Sequence, residues 1–178
     1  MDGFKTHAVD VEAQIQLLDR EPDMVLLNET KLDEGDPPPV LTGYTLICRR
    51  DRVSVNKGGG VAVFAKTSKA ARVTLLECMT DFERCWMMIH TDDGPILLGC
   101  WYRPPNVGNI DGIDEIKTEV AKHRANAVGI LLIGDLNVHS IHWLRHSARE
   151  SAEATRPRSV CEDLGVKQRV HTQRYQRE

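Results

Sequence analysis

The chain of 178 residues lacks any C-x-x-C pair among its five cysteines, which excludes a zinc ribbon. An odd number of thiols set mostly in apolar stretches points to reduced side chains in an intracellular, nuclear or cytoplasmic protein. Long hydrophobic runs are missing too. The longest, 128–134 and 95–102, fall far short of the roughly 20 residues that cross a bilayer. Asp2, Lys5, Asp10, Glu12, Asp19 and Arg20 interrupt the amino-terminal stretch, so neither a signal peptide nor a membrane partner is expected. Excess positive charge is absent as well: 23 Lys and Arg face 26 Asp and Glu, for a formal charge of -3. The overall field therefore does not attract nucleic acid, and contact with DNA would fall to local patches such as Arg49, Arg50 and Arg52. The sequence shows no repeat, low-complexity tract or linker. With 41% hydrophobic and 28% charged residues, it reads as one globular domain over 1–178, monomeric and long enough to bury its own core.

Ala8, Val11, Ile15 and Leu18 recur at helical spacing, and Pro22 follows, so the pattern predicts an amphipathic helix over 8–20. Met24-Val25-Leu26-Leu27 reads as a strand buried on both faces that leads into Glu29. Three prolines at 37–39 then force an extended loop. From Tyr44 to Thr91 short β-like runs (44–48, 61–64, 73–76 and 86–90) suggest an antiparallel meander. A buried strand over 96–102 ends at Tyr102, and Ile113, Ile116 and Val120 mark a second helix. The most apolar strand, 128–133, runs into Gly134-Asp135-Leu136-Asn137. Residues 148–164 read as a helix broken near Pro157 and capped by Gly165, and Val166–Val170 as the start of one further strand.

Glu29, Tyr102 and Asp135 each follow a hydrophobic strand, and the carboxyl ends of strands are where α/β sheets bind ligands. Two converging carboxylates repel unless a cation sits between them, and an oxygen-only donor set selects a hard ion such as Mg²⁺. Asn137 projects on the same side as Asp135 while the backbone stays extended. The plainer readings are a capping acid at 29, an aromatic rim residue at 102 and an Asx turn at 135–137.

Taken together, Leu26-Leu27-Asn28-Glu29-Thr30-Lys31-Leu32, Gly58-Gly59-Gly60-Val61-Ala62-Val63, Trp101-Tyr102-Arg103-Pro104-Pro105-Asn106 and Leu132-Ile133-Gly134-Asp135-Leu136-Asn137 resemble the endonuclease/exonuclease/phosphatase superfamily. More narrowly, they are similar to the apurinic-endonuclease-like domain of non-LTR (LINE-type) retrotransposons. The resemblance implies an α/β fold, a four-layer DNase I-like sandwich of two face-to-face β-sheets with helices outside. It further implies Mg²⁺-dependent (or Mn²⁺-dependent) nicking of DNA, with a reverse transcriptase domain downstream in an intact element. Glu29 would be the metal carboxylate, Tyr102 a hydrogen-bond donor at the scissile phosphate, Asp135 the group that orients or deprotonates water, and Asn137 a holder of a phosphate oxygen. The family pattern also has an Asn-bearing first strand and a closing Ser-Asp-His segment, and His171 stands outside any such context. The expectation is a domain lacking elements at both ends, with unpaired sheet edges and weak or absent catalysis. Other readings are a phosphomonoesterase or lipid phosphodiesterase of the same superfamily, or a non-catalytic relic.

Three features stay open at this level. His139, His142 and His146 would share one face if helical, as a zinc triad does, or would form a solvated or substrate-facing cluster, with His139 the candidate substrate contact. Arg49, Arg50 and Arg52 would grip a DNA backbone or decorate a solvated loop. Gly58-Gly59-Gly60 precedes a strand instead of opening a helix, so a hairpin turn is the better reading than a phosphate cradle.

Overall fold

The computed structural model describes residues 4–52, 58–79, 83–104, 111–142, 144 and 147–167. Its chain divides into two compact units, one made of residues 1–107 and 121–137, the other of residues 108–120 and 138–178.

The first unit holds two sheets. Strands β1 (Met24–Asn28), β2 (Tyr44–Arg50) and β3 (Val61–Lys66) form an antiparallel sheet in the order β1-β3-β2. Strands β4 (Val73–Cys78), β5 (Glu83–Thr91), β6 (Gly94–Tyr102) and β7 (Gly129–Asp135) form the other in chain order, with β6 and β7 parallel and the rest antiparallel. Between them a 3-10 turn over Thr67–Arg72 carries the chain from one sheet to the next. The stretch 44–91 is therefore two hairpins in two sheets and not one meander. Local alternation sets each pairing but carries no signal for a change of sheet.

Period-two alternation places one set of side chains between the sheets. Cys48, Val61 and Val63 meet Cys85, Met87, Leu98, Cys100 and Tyr102 there. On the other face of the three-stranded sheet, Ala62 and Phe64 pack with Phe4 and Leu41, joined by Ala8, Val11 and Ile15 of helix α1 (Phe4–Gln16). Phe4 stacks on Phe64 with ring centroids 6.1 Å apart. The helix begins and ends one turn earlier than the apolar spacing suggests, because Phe4 joins that cluster while Leu17 and Leu18 stay exposed. Strand β1 is only partly buried, since it lies at the edge of its sheet.

Helix α2 (Asp111–His123) buries Ile113, Ile116 and Val120 in the expected helical stripe. In the second unit, helix α3 spans Thr155–Leu164 and closes on Gly165 at φ 67°, whose N–H reaches the carbonyls of Cys161 and Glu162. Pro157 does not break it. It occupies the first turn, where a backbone N–H has no helical partner to lose. The expected strand over 166–170 falls mostly outside the described residues, as do His146 and His171.

Candidate functional site

The segment after β1 turns back on itself. Glu29 and Lys31 hold left-handed conformations at φ 60° and 53°, uncommon for residues with side chains and a recurrent mark of functional segments. Two backbone hydrogen bonds keep them there: Thr30 N–H to the Gly60 carbonyl at 3.4 Å, and Lys31 N–H to the Gly59 carbonyl at 2.8 Å. The glycine run lies in the β2–β3 connection, as a hairpin reading requires. A Cβ at Gly59 would stand 2.3 Å from the Arg52 guanidinium and 2.5 Å from a Glu83 oxygen, so only glycine permits this approach.

The exposed carboxylate of Glu29 is thereby aimed. Its Oε2 accepts from the Gly59 N–H at 3.1 Å, and its Oε1 accepts the Tyr102 hydroxyl hydrogen. Tyr102 comes from the other sheet, so this bond closes the two sheets at one end. The Arg52 guanidinium lies 5.5 Å from the Tyr102 ring centroid and pairs through Nε with Glu83, which also accepts the Gly60 N–H. Arg52 Nη2 and Asn28 Oδ1 are buried without a hydrogen-bond partner.

Parallel pairing of β6 with β7 sets Tyr102 directly beside Asp135 at the strand ends, and partners in register project to the same face. Arg103 N–H holds the Asp135 carbonyl at 2.8 Å. Asp135 Oδ1 accepts the Asn137 N–H at 2.8 Å, an Asx turn that places Asn137 at φ 49°. Asn137 Nδ2 donates to the Arg103 carbonyl at 2.6 Å, which fixes the amide and leaves one N–H for another partner. The Asx turn and a site role are thus compatible: the turn is what orients both side chains.

The other candidates fall elsewhere. Arg49 is tied into the Asp33–Pro37 loop, bonding Asp51 through Nε at 2.8 Å and the carbonyls of Asp36 and Pro37 through Nη1 at 3.0 and 3.1 Å, with Nη2 on Asp33. Its role is to hold that acidic, proline-rich loop. Arg50 is partly buried on β2. His139 belongs to the second unit, where Arg149 meets its Nε2 at 2.6 Å and Ser151 bonds its backbone. Residues 139–142 are not helical, so the premise of a helical zinc triad fails there. Glu83 was not singled out from the sequence, Asn28 entered only within a motif block, and Gly59 only as a turn residue of the glycine run. Glu83 opens β5 opposite Tyr102, and only its burial as an acid beside Arg52 distinguishes it.

The donors gathered here are carboxylate and amide oxygens. Glu29 is accessible, and the partnerless oxygen of Asn28 sits at the preceding residue. This set fits a hard divalent ion and not zinc or copper.

Comparison with known proteins agrees with this fold. The structure is similar to the endonuclease domain of TRAS1, a telomere-specific non-LTR retrotransposon, with TM-score 0.61 and 16% identity over 90% of this chain and 66% of that one. It is similar also to NExo from Neisseria in two forms. One is the 3'-5' exonuclease from Neisseria meningitidis (TM-score 0.60, 13% identity, 90% and 67% covered). The other is a 3' phosphatase structure bound to a product DNA hairpin (0.61, 12%, 90% and 67%). The chain thus spans about two thirds of the length of these structures. No curated protein sequence matches the chain. A sequence profile described as the endonuclease/exonuclease/phosphatase family matches residues 2–175. Spanning nearly all of the polypeptide and meeting a fold with acids at the ends of two facing sheets, that match places the chain in the endonuclease/exonuclease/phosphatase family.

Proposed function

We propose that the chain is a Mg²⁺-dependent phosphodiester hydrolase that nicks DNA, of the kind found at the start of non-LTR retrotransposons. The observation that carries this reading is the bond between Glu29 of one sheet and Tyr102 of the other, with Asp135 in register beside Tyr102. Glu29 and Asn28 would hold the divalent ion, which supplies charge neutralisation at the phosphate and a more acidic water. Asp135 accepts the proton of the attacking water. The free amide N–H of Asn137 and the unpaired Arg52 Nη2 donate to phosphate oxygens. Tyr102 gives its hydrogen to Glu29 in this state, so its first task is to set the carboxylate.

Supercoiled plasmid incubated with Mg²⁺ is expected to be nicked weakly, with the activity lost on chelation and reduced about 100-fold or more by Glu29→Gln or Asp135→Asn. Nicking unchanged in both variants would overturn the assignment. Similarity to a bacterial 3' phosphatase supports a second reading, release of phosphate from a DNA 3' end. A 3'-phosphorylated hairpin that is hydrolysed while plasmid stays supercoiled would select it.

A further inference from the structure

The geometry points to a second metal site, distinct from the oxygen site and chemically opposite to it: a soft d¹⁰ cation held by Cys48, Cys78 and Cys85. The three sulfurs lie within 4.8 Å of one another, and Cys78 Sγ and Cys85 Sγ are 2.8 Å apart. They arrive from three strands and both sheets. Cys78 and Cys85 are register partners across β4 and β5, while Cys48 reaches them from β2.

Backbone irregularities create this convergence. The β2–β3 register shifts between Leu46 and Cys48. In regular alternation these two side chains would share a face, yet Leu46 packs on the α1 side and Cys48 between the sheets. The β4–β5 register shifts between Leu75 and Glu77 in the same manner. That second bulge sends Glu77 to the opposite face and turns Cys78 inward. Two bulges, one in each sheet, thus each immediately precede or flank the cysteine they re-aim, which is how bulges commonly serve sites.

Thiolate ligands select soft ions such as Cu(I) and Zn(II) over Mg²⁺. With metal–sulfur bonds near ~2.3 Å, thiolates sharing one ion stand roughly 3.8 Å apart. Parting Cys78 from Cys85 by about 1 Å therefore meets the requirement. Cys78 is the partly exposed member and the entry point. Three donors suit Cu(I). Cys100, register partner of Cys85 on β6, is a neighbour on the same face that would complete a tetrahedral Zn(II) set.

The reduced full-length chain, titrated separately with Cu(I) and with Zn(II) and desalted, tests this by elemental analysis and by counting alkylatable thiols. Retention of one ion per chain is expected, with three thiols protected if the ion is copper and four if it is zinc. Cys78→Ser and Cys48→Ala should each lower retention about tenfold or more, whereas Cys161→Ser in α3 should not change it. Circular dichroism confirms that each variant is folded. Substoichiometric metal in folded wild type, retention unaffected by either variant, or a Cys78–Cys85 disulfide recovered in place of the metal complex would overturn the proposal. Plasmid nicking does not enter this readout, so the two sites stand or fall separately.

Discussion

Strands β3 and β7 are both short, apolar and parts of motifs, yet they live in different surroundings. In β3 the side chains of Val61 through Ala65 are fully buried. The strand lies between β1 and β2 and is covered on one face by the other sheet and on the other by the α1 cluster. Strand β7 carries an apolar run of larger side chains, Ile130 through Ile133, but Leu131 and Ile133 remain 45% and 38% exposed. Among the described residues it pairs with β6 alone. Hydrophobicity makes burial favourable; position in the sheet decides whether it happens. What β7 contributes instead is its backbone, which runs beside β6 and delivers Asp135 to Tyr102.

The largest test of that contrast is Phe64→Ala. Removing a fully buried ring between β3 and α1 should lower unfolding free energy by about 3–5 kcal/mol in a urea titration. A loss below about 1 kcal/mol would show that the α1 face is loosely packed. Next comes Gly134→Ala, which puts constraint where β7 shows exposure. At φ 156° a Cβ would stand 1.9 Å from the Trp101 carbonyl oxygen, so the backbone must shift. A cost on the order of 1–3 kcal/mol is expected, and nicking should fall with it because Asp135 is the next residue. Smaller still is Leu131→Ser, where the change should stay within about 0.5 kcal/mol of wild type; a core-sized loss would mean that the exposed face of β7 is covered in solution.

The smallest effect concerns pH. Glu77 of β4 accepts from Lys122 and His123 at 2.8 Å each, and these bonds, Lys122 first, hold its carboxyl below the usual value of 4.5. A lowered folded-state value means that stability is fully present above 4.5 and declines as pH falls through the folded-state value. Glu77→Gln should flatten that acid limb by slightly lowering the melting temperature at neutral pH, where the bonds are intact, while leaving it unchanged below the folded-state value; the shift is small because the pair is partly solvent-screened.

Much of this architecture can be read from residue order. Every strand inferred from alternation or an apolar run forms, with ends moved by a few residues, except the one over 166–170, which lies largely outside the described residues. The helices marked by Val11 and Ile15 and by Ile113, Ile116 and Val120 form as well. The candidate cluster was legible where a polar residue closes or directly follows a strand, as with Glu29, Tyr102 and Asp135, which the fold brings together. Arg52 stands out only as part of a basic run, and its pairing with Glu83 was not legible because the two are distant in sequence; nor was the placement of Arg49, whose guanidinium faces loop carbonyls. Pro157 misled because a proline reads alike in the first turn of a helix and in its middle, although only the second position costs a hydrogen bond.

By itself, then, the sequence determined the local elements, the family motifs and the hard-oxygen character of the strand-end residues, because periodicity and side-chain type act over a few neighbours. Tertiary structure alone decided the switch between sheets, the exposure of β7, the capture of Tyr102 by Glu29 and the meeting of three cysteines. Those outcomes depend on register, bulges and long-range pairing, and no short stretch of chain encodes which distant strand will lie beside it.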